Sequence, residues 1–319
     1  MTSRRDRGQQ PNNLSGVLQL AVENTVPGDV PNEREEMSEE RTEFLRNVFN
    51  DLYCDEAKEM KKTVDNIKPL LGSADENDTT VKVACLEQLQ ELCQTIDNAS
   101  DFHKIGGTEI LKDLLADPNS EVQWNTAELI AMVSQNNPYS QTVLLNHKIM
   151  PLLFKLVDRD EASIVKIKAL YALSCMVRDH KQCLEEFSEL DGFSYLVRAM
   201  QGSLTKLRIK ASFLLNAILR MDPKHKDVVQ KMGVVEQLVR MLQTEHDNTH
   251  EYLMLTLLTL VQDHEPAQSD ARTPDLNLHK LLKDRQKMLK GKEEFQEELE
   301  YSTELFKLLF STEKVCVDR

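Results

Sequence analysis

The chain has 319 residues, of which 40% are hydrophobic and 29% are charged, with only ten glycines and ten prolines. This composition leaves little material for hairpins and predicts an all-α protein. The net charge of −14 repels phosphate backbones, so nucleic acid is not expected as a partner.

The cysteines indicate a reducing compartment. They lie mostly in apolar helical runs, have no CxxC spacing, and are Cys54, Cys85, Cys93, Cys175, Cys183 and Cys316. The amino terminus has no secretory signal, and no apolar run is long enough to span a bilayer. We therefore expect a protein without membrane association that is cytoplasmic, with the nucleus as an additional location.

Residues 1–37 are polar and show little periodicity, which predicts a mostly disordered segment. Apolar residues recur at helical spacing from Leu14 to Val22, so a short amphipathic helix is expected at 13–23. A second interpretation stays open, in which this helix is too short to persist alone.

Ser38 is typical of a helix N-cap, because Glu39 and Glu40 follow it in the first turn. An apolar stripe follows, which predicts an N-terminal helical cap over 38–71. The polar segment 72–80 is expected to be a linker.

Residues 81–262 contain a helical repeat. Five helices align on central apolar residues at intervals of 41, 43, 42 and 42, and these are Leu89, Ile130, Leu173, Leu215 and Leu257. A second set of helices aligns independently at intervals of 42, 43 and 42, on Leu111, Leu153, Leu196 and Leu238.

Two registers with one period near 42 are typical of armadillo or HEAT arrays, in which each unit buries apolar faces against its neighbours. The segment from Gly233 to Leu242 looks like an armadillo repeat. The prediction is a right-handed armadillo superhelix of about four repeats. The polar stretch after Asp263 is expected to end the array, and residues 276–319 to form a C-terminal helical cap.

The last helix of each armadillo unit lines the concave face. Its outward stripe is expected to run through Asn125, Glu128 and Met132, then Lys168, Tyr171 and Cys175, then Lys210, Phe213 and Ala217. Importin-like proteins carry a Trp and Asn ladder there. The only tryptophan, Trp124, is predicted to lie off this ladder, so binding of extended basic peptides is not expected.

No motif for a hydrolase elbow, a P-loop or a dinucleotide site occurs. His246 and His250 have ligand spacing, but Asp247 stands where a zincin has glutamate, and the segment reads as a turn between helices. We therefore expect no catalytic residues, no metal and no cofactor.

Basic residues cluster in KLRIK, where Lys206 and Lys210 share a helical face around Arg208. Lys168 precedes Lys210 by 42 residues, one repeat, so stacking is expected to align the two lysines in a positive stripe. Such a stripe would steer an acidic partner. The other interpretation, ordinary solvated lysines, stays open.

Several segments resemble the Fes-one/Sil-one-like nucleotide exchange factors of the seventy-kilodalton heat-shock chaperones. In chain order these segments are NLSGVLQLAV, MSEER, DNASDF, KALYALSCMVR, LDGFSYLVRAMQ and FQEELE. The resemblance covers nearly the whole chain and is weakest at 24–36 and 72–80.

The resemblance implies a co-chaperone whose armadillo domain embraces one lobe of the chaperone's nucleotide-binding domain, distorts the other lobe and promotes ADP and client release. A monomer is expected, because a capped solenoid has no need to dimerise. Family contact positions fall on Ala99 and Lys210. The predicted partner-binding residues are Asn98, Ala99, Asn136, Lys168, Tyr171, Arg178, Lys206, Arg208, Lys210 and Phe213.

Two points stay open. Asn98 and Asn136 either hydrogen-bond across the interface or cap helices. A general armadillo adaptor is the alternative function, and an enzyme comes last because no catalytic constellation is present.

Overall fold

The computed structural model describes residues 41, 43, 56–158 and 162–311. The predicted disorder of 1–37, the helix at 13–23, residues 38–40, 42 and 44–55 of the predicted cap and residues 312–319 lie outside them. The chain forms two compact units, Met1–Glu59 and Met60–Arg319. Helix α1 (56–67) buries Met60, Val64 and Ile67 completely.

The described residues from 76 onward form helices in groups of three, and no strand occurs among them. Helix α2 (Glu76–Leu92) comes first. The first repeat has α3 (Ile96–Lys104), α4 (Leu111–Leu115, after a 3₁₀ turn at Gly107–Ile110) and α5 (Ser120–Ser134), and the second has α6 (Pro138–Asn146), α7 (Met150–Asp158) and α8 (Ser163–Val177).

The remaining helices continue this pattern. The third repeat has α9 (Lys181–Glu189), α10 (Gly192–Gln201) and α11 (Thr205–Met221), and the fourth has α12 (His225–Lys231), α13 (Val234–Leu242) and α14 (His250–Val261). A last unit has α15 (Glu265–Ala271), α16 (Leu278–Leu289) and α17 (Gln296–Phe310).

Local signals repeat with the same period as the helices. In four of the five units the first helix begins at a side-chain N-cap, supplied by Thr95, Asn137, His180 and His264, whereas α12 has none. In the first four units it ends before a left-handed residue, and these are Gly106, Lys148, Asp191 and Gly233. Each junction between consecutive units has three residues: 135–137, 178–180, 222–224 and 262–264.

The nine aligned apolar residues of the two predicted registers are all at most 1% exposed. At about 1.5–3 kcal/mol for each fully buried aliphatic side chain, they contribute strongly to a core that runs through the array. Four of the six cysteines lie in the described residues, and all four are free and buried, as their apolar surroundings predicted.

The third helices stack in succession. Helix α2 packs on α5, α5 on α8, α8 on α11, α11 on α14 and α14 on α17. We call these six helices the inner ladder. Among the described residues no helix is both long and apolar enough to cross a membrane.

Three boundaries differ from the sequence prediction. Helix α2 begins at Glu76, inside the predicted linker, because Asp75 caps the backbone N–H groups of Asn77 and Asp78. The polar stretch after Asp263 does not end the array, because it forms α15. The predicted C-terminal cap is therefore the end of a fifth three-helix unit.

A buried ion pair fastens α2 to the first repeat. The Lys82 ammonium group donates to the Asp117 carboxylate and, at 2.8 Å, to the Ser73 carbonyl oxygen. Both charged side chains are at most 2% exposed. Helix α2 thus holds the position that a preceding repeat would hold.

Candidate partner-binding surface

The exposed face of α5 differs from the predicted stripe. Asn125 is fully buried, where its Nδ2 donates to the Glu121 carbonyl and its Oδ1 accepts from Gln90 at 3.1 Å. The half-buried residues are Trp124, Glu128 and Met132, which recur about one turn apart, so Glu128 and Met132 match the predicted stripe and Asn125 does not. Trp124 therefore belongs to the outward stripe, contrary to the prediction.

Lys168 is not part of an open positive stripe. Its Nζ lies 2.7 Å from Glu128 Oε2 and 6.0 Å from the centre of the Trp124 ring, both on α5. This pairing offsets the charge of Lys168 with a residue of the preceding repeat. Lys210 lies one repeat further and makes a different contact, so the two lysines do not act as one stripe.

Lys210 stacks on an aromatic ring of the preceding repeat. Its Nζ lies 4.9 Å from the centre of the Tyr171 ring, which attracts a cation through its negative face. Burial and the neighbouring Cys175 raise the pKa of Tyr171 to about 12, so the hydroxyl stays neutral. That hydroxyl donates to Gln135 Oε1 at 3.4 Å.

A second cation and ring pair joins Arg178, directly after α8, to Phe213 on α11. The guanidinium carbon of Arg178 is 5.6 Å from the centre of the Phe213 ring, and Arg178 also donates to Ser174. Phe213 is 49% exposed, which is high for a large apolar side chain in a folded domain. The Arg178 and Phe213 pair therefore offers both charge and apolar area to a partner.

Ala99 lies in a pocket formed by α3, the end of α5 and the junctions at 93–95 and 135–137. The pocket has a volume of about 230 Å³ and is lined by Cys93, Gln94, Thr95, Ile96, Ala99, Met132, Val133, Gln135, Asn136 and Asn137. Ala99 is only 2% exposed, whereas Ile96 at the pocket's edge is 60% exposed. Ala99 is thus a recessed wall of a concavity rather than a surface contact.

The two asparagines have structural roles. Asn98 is 6% exposed and donates to the Leu92 carbonyl at 2.8 Å, which secures the end of α2. Asn136 follows α5, is exposed to solvent, and has a left-handed backbone conformation with a φ of 54°. These positions fit the capping interpretation, and Asn136 also lines the Ala99 pocket.

The three cations of KLRIK do not share one environment. Lys206 and Lys210 are exposed. Arg208 points into the next repeat, where its Nη1 donates to Asp247 Oδ2 at 2.9 Å. Two residues along a helix correspond to about 200° of rotation, so Arg208 and Lys210 lie on nearly opposite faces of α11.

Gln135 connects the Ala99 pocket to the pair of Lys210 and Tyr171. It lines the pocket, and its Oε1 accepts a hydrogen bond from the Tyr171 hydroxyl. We call the combined area the Tyr171 surface, made of Ala99, Gln135, Tyr171, Arg178, Lys210 and Phe213. Sequence reasoning missed Gln135. A signal was available, because the residue five positions after each aligned apolar anchor is polar: Gln94, Gln135, Arg178, Arg220 and Gln262.

His246, His250 and Glu298 come together, with one ligand-type atom from each within 4.8 Å of the others. Arg285 Nη1 donates to His250 Nδ1 at 2.7 Å and to Glu298 Oε1 at 3.0 Å, and His246 Nε2 lies 2.8 Å from Glu298 Oε2. Arginine only donates, so the second ring nitrogen of neutral His250 carries the proton. The cluster is a hydrogen-bonded network whose groups already have partners, and this arrangement disfavours a metal.

Most of the chain matches known family models. A family model described as "Nucleotide exchange factor Fes1" matches residues 14–102, and one described as "SIL1/FES1/HPBP1 C-terminal domain" matches residues 98–220. Hsp70-binding protein 1 of Homo sapiens is 36% identical over 312 residues, which cover 95% of this chain and 86% of that protein. Hsp70 nucleotide exchange factor FES1 of Saccharomyces cerevisiae is 28% identical over 53% of this chain and 61% of its own length.

Solved structures with a similar fold are armadillo proteins. The designed armadillo repeat protein YIII(Dq)4CqI aligns with a TM-score of 0.63 at 15% identity, over 78% of this chain and 99% of that one. The armadillo repeats only protein of Plasmodium falciparum aligns with a TM-score of 0.53 at 19% identity, over 69% of this chain and 97% of that one. These likenesses confirm the predicted all-α armadillo superhelix. The relatives and family models above show that the chain belongs to the SIL1/FES1/HPBP1 family of nucleotide exchange factors, as its motifs predicted.

Proposed function

We propose that this chain is a co-chaperone that binds the nucleotide-binding domain of a seventy-kilodalton heat-shock chaperone through the Tyr171 surface and promotes ADP release. Family membership over nearly the whole chain supports the chaperone as partner. The observation that carries the location is the continuity of the Ala99 pocket, Gln135 and the Lys210 stack on Tyr171.

The surface has the chemistry of a protein interface. It combines an exposed ring, ring-supported cations and a small concavity, and aromatic and arginine side chains are enriched where interfaces are energetically strongest. The cations are partly preorganised by their rings, which lowers the entropy cost of binding. A surface with these cations favours an acidic partner surface.

Exchange follows from differential affinity. A partner shifts an equilibrium only by binding one state more tightly than the other, so this chain binds the distorted, nucleotide-releasing chaperone better than the closed one. It catalyses no covalent step and needs no cofactor. One copy carries the whole Tyr171 surface, so a monomer suffices. The four cysteines that the structure describes are free and buried, which fits a cytoplasmic protein.

The test is ADP release from a chaperone loaded with fluorescent ADP. The full chain should accelerate release well above the spontaneous rate. Lys210→Ala and Ala99→Arg should weaken this acceleration, the first by removing a stacked cation and the second by filling the pocket. Lys155→Ala is the matched control, because Lys155 is an exposed lysine on α7, outside the inner ladder.

No acceleration by the wild-type chain would overturn the proposed function. Equal acceleration by wild type, Lys210→Ala and Ala99→Arg would keep exchange but reject the Tyr171 surface. Because Ala99 is buried, its variant is read only alongside a melting curve that shows an intact fold.

A further inference from the structure

The loop at 243–249, between α13 and α14, holds the first turns of α11. Its Asp247 accepts from Arg208 at 2.9 Å, and Asp247 Oδ1 accepts from the Thr249 backbone at 2.8 Å and from the Thr249 hydroxyl. Burial alone would raise the pKa of Asp247, but the bonds from Thr249 and the charge of Arg208 lower it. Asp247 is therefore a fixed anion that faces α11.

Helix α11 needs such an anion. Lys206, Arg208 and Lys210 lie in its first two turns, where the helix dipole disfavours cations. Leu204 at the N-cap supplies no side-chain hydrogen bond, and no acidic residue lies in the first turn. Asp247 supplies from the next repeat the negative charge that α11 lacks.

The other side of the loop is fastened to the last unit. His246 Nε2 lies 2.8 Å from Glu298 Oε2, and the His246 ring packs edge-on against Phe295 with centres 4.9 Å apart. Gln243 donates to the Leu276 carbonyl, and Arg285 donates to the Leu242 carbonyl, both at 2.8 Å. The loop thus connects the fifth unit to the basic end of α11.

We propose that Asp247 is a positioning residue for partner binding. It fixes Arg208, and through it the first turns of α11, so that Lys206 and Lys210 on the other face are presented to the chaperone. On this assignment Arg208 itself does not touch the partner, and the fifth unit acts as a buttress for the Tyr171 surface. The assignment rests on the proposed function.

The experiment compares the full chain with Asp247→Asn, Arg208→Ala and the double variant in the ADP-release assay. The concentration of factor that gives half-maximal release should rise about three- to fivefold, as expected for loss of one partly exposed ion pair. The maximal rate should stay unchanged. All three variants should show the same loss, because each breaks the same link. Asp247→Glu keeps the anion and should restore most of the activity.

Two further variants separate positioning from general stability. Asp158→Asn breaks a similar pair with Arg198, at 2.7 Å on the second helices, and should leave release unchanged. Lys210→Ala should raise the concentration for half-maximal release by a smaller factor in the Asp247→Asn background than in the wild type, because the lysine is already misplaced there. A change in melting temperature alone would not produce this coupling.

The assignment is overturned if Arg208→Ala weakens release while Asp247→Asn does not, since Arg208 would then touch the partner directly. It is also overturned if the wild type accelerates release and none of the three variants differs from it. Failure of the wild type to accelerate release is a separate result, which rejects the proposed function itself.

Discussion

The ammonium group of Lys210 lies 4.9 Å from the centre of the Tyr171 ring, which belongs to the preceding repeat. The position of this cation is therefore set by two repeats together. Its contribution to partner binding can be tested by changing the ring and leaving the lysine in place.

Tyr171→Leu should raise the concentration needed for half-maximal ADP release about two- to fivefold. The reason is that a partly exposed cation–π contact is worth about 0.5–1 kcal/mol. Tyr171→Phe keeps the ring and loses only the bond to Gln135, so it should stay close to the wild type. Identical behaviour of the two variants in a release titration would show that the ring does not position Lys210.

Gly192 should tolerate no side chain. A Cβ at this position would lie 2.5 Å from the ring of Phe187, which is fully buried. Gly192→Ala should therefore lower the free energy of unfolding by about 1–3 kcal/mol, measured by urea denaturation.

Gly202→Ala is the matched control, since its Cβ would lie 3.4 Å from the Ala199 carbonyl oxygen and 3.8 Å from that of Arg198, both without a clash. Phe187→Leu removes the ring that the new Cβ would meet. In that background Gly192→Ala should lower the free energy of unfolding by less than it does in the wild type. If the cost is unchanged in that background, the clash with Phe187 is not its cause.

Lys82→Met should destabilise the protein by about 3–5 kcal/mol, because it leaves the Asp117 carboxylate buried without its partner. Adding Asp117→Asn removes that charge and should recover part of the loss, while its amide oxygen can still accept from Asn119. Chemical denaturation of the single and double variants measures both steps. Equal stability of the two would contradict an uncompensated charge as the cause.

Stability should fall between pH 7 and pH 5. Burial lowers the pKa of His103 and of His250 to about 4, with Arg285 adding to the effect at His250. The unfolded histidines titrate near 6.5, so the unfolded state binds more protons in the window between. Each histidine then lowers the free energy of unfolding by up to about 1.4 kcal/mol per pH unit as the pH falls.

Above about pH 7.5 this dependence should vanish, because these histidines are then neutral in both the folded and the unfolded state. His250→Asn keeps an acceptor for Arg285 but cannot titrate, so its loss of stability between pH 7 and pH 5 should be smaller. A wild-type stability that does not change over this range, measured by urea denaturation, would contradict the assignment of neutral buried histidines.

The repeat was predictable because its signal is one-dimensional. Apolar anchors such as Leu173 and Leu196 recur with one period, and burial of those positions follows directly from the spacing. Helix ends were harder to place. Lys148 and Asp191 adopt the same left-handed conformation as Gly233, but neither residue type predicts it as glycine does.

The site was less predictable because it depends on contacts between repeats. One register step on α5 decides whether Trp124 or Asn125 faces outward. The offset between neighbouring helices decides that Lys168 meets Glu128 and that Arg208 meets Asp247. Such pairings between residues about 40 apart are set by how the helices stack, which a single sequence does not specify.

The constant three-residue junctions at 135–137, 178–180, 222–224 and 262–264 have a consequence for how such a chain can change in length. Every junction between units has the same length, so an entire unit can be added or removed without changing the length of either neighbouring junction. The connection between the second and third helices varies, from three residues at 202–204 to seven at 243–249. Protein engineering by whole-unit shuffling should therefore cut at the junctions, and grafted peptides belong at the variable connection.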